Sequence, residues 1–259
     1  MVRVAMVQLA VDGNESVADR IERAMWLTNE ATQSADMVVL PELWPTGAFD
    51  LELGVEHAQP INGPLVQALA TLAADTATWI HGGSFVEKAD KGRLFNTSVM
   101  FAQDGTFAAI YRKIHLFGFD AGEAAILNGG DDVVVVHTPL GLTGLATCYD
   151  LRFPELFREM TERGASAVLL SSGWPLARIA RWNILAQARA MENQLWFIGC
   201  NETGTHGDVT LGGNSIVTDP WGDVTFQADE GEGIFYVDID PKFATKVRAD
   251  FPVLRDRKL

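Results

Sequence analysis

The sequence predicts an α/β layered fold, with two sheets covered by helices on both outer faces. Three observations carry that expectation. Short apolar runs of strand character alternate along the chain with segments of helical period. The 259 residues, 47% of them hydrophobic, suffice for one large core. No Ser/Pro-rich linker divides them, so one domain is expected over residues 1–259.

The elements follow in order. Val2, Val4, Met6 and Gln8 lie on one side of a first strand. Asn14 can cap the next helix, in which Val17, Ile21, Ala24 and Ala31 recur at helical spacing. Met37-Val38-Val39-Leu40 reads as a short buried strand. A helix over 65–76 and a strand over 79–86 make the next unit, followed by a hairpin whose arms, 96–101 and 106–110, flank an Asp104-Gly105 turn. The second half repeats the alternation. Strands are expected at 133–137, 142–147, 168–171 and 196–201, with helices near 154–163 and 177–193. Strands at 214–218 and 224–227 flank the Asp219-Pro220-Trp221-Gly222 turn, before 234–239 and an irregular tail.

Composition excludes several classes of partner. A net charge of −14 with no Lys/Arg run argues against a nucleic-acid partner. No stretch approaches the roughly 18 apolar residues of a membrane span, and no secretory leader pattern opens the chain, so a cytoplasmic protein is expected. Two cysteines, Cys148 and Cys200, do not make a disulfide framework, and Cys200 reads as a buried core thiol. His115, His137 and His206 are not spaced as metal ligands, so no metal site is expected, and His206 reads as a loop histidine. Serine-hydrolase and nucleotide-binding phrases are missing.

The chemistry concentrates at strand ends. Cys148 follows the apolar run Leu142-Thr143-Gly144-Leu145-Ala146-Thr147 and opens the tight segment Cys148-Tyr149-Asp150-Leu151-Arg152-Phe153-Pro154-Glu155. A thiol at such a strand-to-helix turn is placed like a nucleophile, where amide N–H groups and the positive helix end favour a thiolate and can hold an oxyanion. Glu42 follows its strand in Pro41-Glu42-Leu43-Trp44, among apolar and aromatic neighbours that suit a general base; a capping or surface glutamate is the alternative. Lys113 closes its strand in Tyr111-Arg112-Lys113-Ile114-His115, where a solvated lysine is the alternative. Arg152, four residues past the thiol, can clamp a substrate carboxylate or pair with Asp150 or Glu155. Trp174, Trp44 and Phe49 are candidate apolar walls, each equally suited to the core.

Glu42, Lys113 and Cys148, each in its own phrase and in that order, resemble the nitrilase superfamily of carbon–nitrogen hydrolases. The resemblance extends to Val4-Ala5-Met6-Val7-Gln8, Ser172-Gly173-Trp174-Pro175, Arg189-Ala190-Met191-Glu192-Asn193 and the tail from Val247 to Leu254. Within the superfamily, the cysteine phrase looks most like the Nit-type amidase branch, which includes ω-amidases. The resemblance implies a four-layer αββα sandwich that pairs as a homodimer or higher homo-oligomer, with a C-terminal arm from about residue 240 in the contact. It implies Cys148 as nucleophile, Glu42 as general base, and Lys113 with the Tyr149 backbone N–H beside the oxyanion, with no cofactor. It also implies a second glutamate after the lysine phrase: Glu123 is the match, Asp120 the alternative alignment, and a surface carboxylate the alternative reading. The implied substrate is a small carboxylate-bearing amide that loses ammonia through a thioester. Nitrile, carbamoyl or larger amide hydrolysis, acyl transfer, and a Cys–His hydrolase in which a histidine activates Cys148 are the competing readings, with a catalytically dead scaffold last.

Overall fold

A computed structural model describes residues 1–118 and 122–258. Its elements run β1 (Val2–Gln8), β2 (Ala10–Asp12), α1 (Val17–Thr32), β3 (Met37–Val39), α2 (Leu51–Glu56), α3 (Pro64–Thr76), β4 (Trp79–Lys88), β5 (Leu94–Phe101), β6 (Phe107–Arg112) and α4 (Glu123–Ile126). The second half continues with β7 (Val135–Thr138), β8 (Gly141–Thr147), α5 (Pro154–Glu162), β9 (Ala167–Ser172), α6 (Ile179–Asn193), β10 (Trp196–Asn201), β11 (Thr203–His206), β12 (Val209–Gly212), β13 (Ile216–Thr218), β14 (Val224–Gln227), β15 (Gly233–Ile239), α7 (Phe243–Asp250) and α8 (Val253–Asp256).

Two six-stranded sheets, β15-β1-β3-β4-β5-β6 and β14-β13-β10-β9-β8-β7, stack face to face. Val4, Met6 and Val39 of the first pack against Leu145, Leu169 and Ile198 of the second. The opposite face of the first sheet, through Ala5, Val7 and Val38, buries Ala24 of α1 and Leu69 of α3. Val168, Leu170 and Phe197 of the second cover Phe157 of α5 and Trp182 of α6. This is the expected four-layer αββα sandwich. Central strands buried on both faces carry apolar residues at successive positions rather than alternating ones, because each face meets its own layer.

Several local expectations are corrected. Ser16, not Asn14, caps α1: its Oγ accepts the Asp19 N–H at 3.1 Å, while the Asn14 amide is spent on Asp12 at 3.1 Å. The segment around His206, expected as a loop, forms a hairpin of β11 and β12 that pairs in parallel with β2 in a third small sheet. The tail is not irregular, because α7 anchors itself through buried Ala244 and Val247.

Register places the site. In the second sheet Thr147 pairs with Ser171, and Ser172 with Asn201, so the parallel strands β8, β9 and β10 end together and release Cys148, Gly173 and Glu202 at one edge. In the first sheet β3 ends at Val39 beside His81 and releases Glu42. On the antiparallel β5–β6 pair, Thr97 faces Arg112, and the Lys113 N–H then donates to the Asn96 carbonyl at 2.9 Å. Ligand sites at the carboxyl ends of parallel strands are the rule for such sheets.

Candidate active site

One cavity of about 420 Å³ opens at these strand ends, and Glu42, Lys113, Glu123 and Cys148 all line it. At its floor the Lys113 ammonium donates to Glu42 Oε1 at 2.7 Å and to Glu123 Oε2 at 2.6 Å. Asn96 Nδ2 bridges the same two carboxylates, at 2.9 Å to Glu42 Oε1 and 2.8 Å to Glu123 Oε1. The Gly173 N–H donates to Glu42 Oε2 at 2.9 Å and the Phe117 N–H to Glu123 Oε2 at 2.8 Å. Every oxygen of both carboxylates therefore has a donor, as buried charge requires. Asp120 lies outside the described residues.

The electrostatics of this floor overturn one expectation. Lys113 does favour charge: burial opposes its ammonium, but Glu123 and Glu42 outweigh that cost and push its pKa well above the ordinary lysine value. Cys148 does not become a resting thiolate. Burial first, and then the charge on Glu42, push its thiol well above the usual range, and Lys113 pulls the other way without prevailing. Taking the thiol out of water penalises its anion most, and the neighbouring Glu42 carboxylate adds to that penalty more than the Lys113 ammonium relieves it.

Local backbone geometry is unusual at both the Cys148 thiol and the Glu42 carboxylate. Cys148 has φ +43° and the residue after Glu42, Leu43, has φ +44°, a left-handed conformation that costs about 1–3 kcal/mol where glycine is not used. Asp150 locks the Cys148 turn. Its carboxylate accepts from the Thr147 N–H at 2.9 Å, the Tyr111 hydroxyl at 2.6 Å and the His115 N–H at 3.0 Å. His115 is committed to that scaffold, with Nδ1 2.8 Å from Asp150 and its ring stacked 3.7 Å from Phe153. His206 bonds Asp50 through Nε2 at 3.1 Å. Among the described residues no histidine lines the cavity, so the Cys–His reading has no base to use.

The mouth is aromatic and cationic. Phe49, Tyr149, Trp174 and Arg152 line it, together with Phe117 and Arg178. The Arg152 guanidinium lies over the Trp174 ring at 4.8 Å from its centroid, not on Asp150 or Glu155. Trp44 is the exception. It is 1% exposed, packs with the helix-facing core of the first sheet and donates its Nε1–H to the Gly82 carbonyl at 2.9 Å, so it supports the site from behind instead of walling the cavity. Across the left-handed residue Leu43, the side chains of Glu42 and Trp44, two positions apart, go to different places.

Four contributors escaped the sequence reading. Asn96 is one of three consecutive polar residues, Asn96-Thr97-Ser98, inside β5, so no local signal singled it out. Gly173 is required sterically: a Cβ there would meet Ala48 Cβ at 2.3 Å and Glu202 Oε2 at 2.8 Å. Glu202, fully buried behind Gly173, is pushed well above the usual carboxylate range by burial and then by Glu42, so it is a neutral acid. Arg178 carried no local mark at all. Among the described residues no group of three or more His, Cys, Asp or Glu side chains is placed to hold a metal, and no helix is long and apolar enough to cross a membrane.

Comparison with known proteins agrees with this geometry. The chain is 38% identical to a 2-oxoglutaramate amidase of Paenarthrobacter nicotinovorans over 98% of its own length and 89% of that protein. It is 35% identical to an omega-amidase of Homo sapiens over 99% and 95%. Among solved structures, Saccharomyces cerevisiae Nit3, a member of branch 10 of the nitrilase superfamily, superposes with a TM-score of 0.90 at 29% identity, covering 100% of this chain and 97% of that one. The carbon–nitrogen hydrolase family matches residues 3–249, which hold the cavity floor and its mouth, and the chain belongs to that family.

Proposed function

We propose that the protein is an amidase that releases ammonia from a short amide bearing a carboxylate at its far end, of the 2-oxoglutaramate type. One observation carries the reading: an ammonium bridged to two carboxylates beside a thiol, in a cavity whose mouth holds a guanidinium. Glu42 takes the Cys148 proton as sulfur attacks the amide carbon, so no resting thiolate is needed. The carbonyl oxygen becomes an oxyanion beside Lys113 and the Tyr149 N–H. Collapse breaks the C–N bond, and ammonia departs with the proton held by Glu42. Glu42 then takes a proton from water as that water attacks the thioester, and the acid product leaves with Cys148 again a thiol. Glu123 holds Lys113 in place throughout. Arg152 clamps the substrate carboxylate, with Trp174, Phe49 and Tyr149 around the chain between. The relatives named as 2-oxoglutaramate amidase and omega-amidase support the substrate class.

Ammonia release from a panel of short amides and nitriles, by wild type and Cys148→Ala in parallel, tests the reading. Cys148-dependent turnover of 2-oxoglutaramate supports it; turnover confined to nitriles, carbamoyl compounds or uncharged amides overturns the substrate class.

The same reading includes a single domain that self-associates in the cytoplasm. The free thiols of Cys148 and Cys200 suit a reducing compartment. Ile184 and Met191 of α6, Trp221 and Phe251 are 65, 55, 42 and 55% exposed. Trp221 and Phe251 stack at 6.0 Å, and Gly222 packs on Met191, so three of the four form one apolar patch where the C-terminal arm meets α6. Sedimentation of a Trp221→Ser, Phe251→Ser double variant should show dissociation; an unchanged oligomer removes this surface from consideration.

A further inference from the structure

Arg178 stands at the mouth of the same cavity, and the mechanism above gives it no role. It ends the short 3-10 turn Leu176–Arg178 before α6, and its guanidinium lies 5.4 Å from the centroid of the Phe117 ring. Its carbonyl accepts the indole N–H of Trp174 at 3.0 Å, while the face of that indole carries Arg152. One tryptophan thus touches both arginines, the Arg152 guanidinium through its ring and the Arg178 main chain through its N–H, while the Arg178 guanidinium itself rests on Phe117. Phe117 links them to the floor, since its backbone N–H holds Glu123 and its ring meets Tyr149 edge-on at 5.3 Å. The acids at this end are Asp50, tied to His206 and to the Leu53 N–H, and the exposed Glu52. Among the described residues neither Arg152 nor Arg178 forms an ion pair.

Two fixed guanidiniums are more than one carboxylate needs. Resting on the proposed substrate class, we propose that Arg178 reads the substituent on the carbon next to the substrate carboxylate, accepting a 2-oxo group and rejecting a 2-ammonium group. A carbonyl oxygen at that carbon accepts N–H bonds from a guanidinium, whereas an ammonium there meets like charge from Arg178 on one side and Arg152 on the other. Discrimination then comes from a repulsive element as well as an attractive one. The 2-oxo amide and the 2-amino amide, glutamine, have the same chain length and the same leaving ammonia, so the amide-cleaving floor alone does not tell them apart.

The test measures kcat/KM of wild type, Arg178→Gln and Arg152→Gln on 2-oxoglutaramate, on the same chain without its 2-oxo group, and on L-glutamine. Arg178→Gln should lower the first by about tenfold, the loss of roughly one charge-assisted hydrogen bond, leave the second within about twofold, and raise the third. Arg152→Gln should lower the two that carry only a carboxylate or an oxo acid alike, since both present the same anion. An equal effect of Arg178→Gln on all three substrates, or none on any, overturns the inference while leaving the amidase reading intact. Wild type inactive on all three overturns that reading and the inference with it. Because Arg178 is exposed, its replacement leaves the core untouched, and an unchanged unfolding midpoint for Arg178→Gln verifies this.

Discussion

At the floor of the cavity Glu42, Lys113 and Glu123 are 2, 1 and 4% exposed, and their polar atoms meet at 2.6 to 2.9 Å. At the mouth, two guanidiniums rest on aromatic faces at 4.8 and 5.4 Å, and among the described residues neither forms an ion pair. The floor is organised in advance, with every charge already satisfied, so it costs no rearrangement when the oxyanion forms. The mouth is left incomplete, and a ligand finishes it. On the proposed reading, bond cleavage and substrate selection thus occupy separate depths of a single cavity.

Changes at the floor should abolish turnover whatever the substrate. Cys148→Ala or Glu42→Gln is expected to lower kcat by about 10⁴-fold or more, with the folded state retained by circular dichroism; residual activity above one per cent breaks the assignment. Asn96→Ala removes one donor from each carboxylate and should lower kcat by about 10- to 100-fold, equivalent to the cost of an unmet buried acceptor. If instead KM rises with kcat unchanged, Asn96 belongs to substrate binding and not to the floor.

Changes at the mouth should be selective. Arg152→Ala is expected to cost roughly 2 kcal/mol in kcat/KM for a carboxylate-bearing amide and almost nothing for a short uncharged amide. Equal losses on both would refute the clamp.

Behind the floor, at Glu202, the expected effect is on stability and not on turnover. Its folded pKa is raised above the usual value of 4.5, so its contribution to stability is fully present below that pH and is lost as pH rises, because the unfolded chain gives up the proton first. Urea unfolding between pH 5 and 8 should therefore show Glu202→Gln gaining on wild type, at no more than about 1.4 kcal/mol per pH unit. A constant difference across that range means that Glu202 is ionised in the folded protein.

What the sequence disclosed follows the same division. Glu42, Lys113 and Cys148 were legible because each closes a strand, and register alone then brings them together. Arg152 was legible because it sits one turn past the thiol. Asn96 was hidden, since its importance comes from lying opposite Lys113 on a neighbouring strand, a pairing that no local pattern reveals. Trp44 was misplaced because a left-handed residue at Leu43 reverses the expected direction of a side chain two positions from a catalytic group. The thiolate expectation failed for a different reason: it counted the amide N–H groups and helix end at the turn but not the burial of the thiol or the Glu42 carboxylate beside it. The small third sheet was missed because β2 and β11 are three and four residues long and lie far apart in sequence, so neither half signals its partner.

In the proposed mechanism the Cys148 nucleophile stays protonated until a substrate arrives, and that has a consequence for the life of the enzyme in the cell. Peroxide and alkylating agents attack thiolates far faster than thiols. With its thiol pushed above the usual range, first by burial, Cys148 presents less thiolate to such reagents and, on the proposed reading, should oxidise slowly although it is only partly buried. Such a site ages slowly in an oxidising episode, and it is most vulnerable to reagents shaped like its own substrate, which bring Glu42 into action before they react.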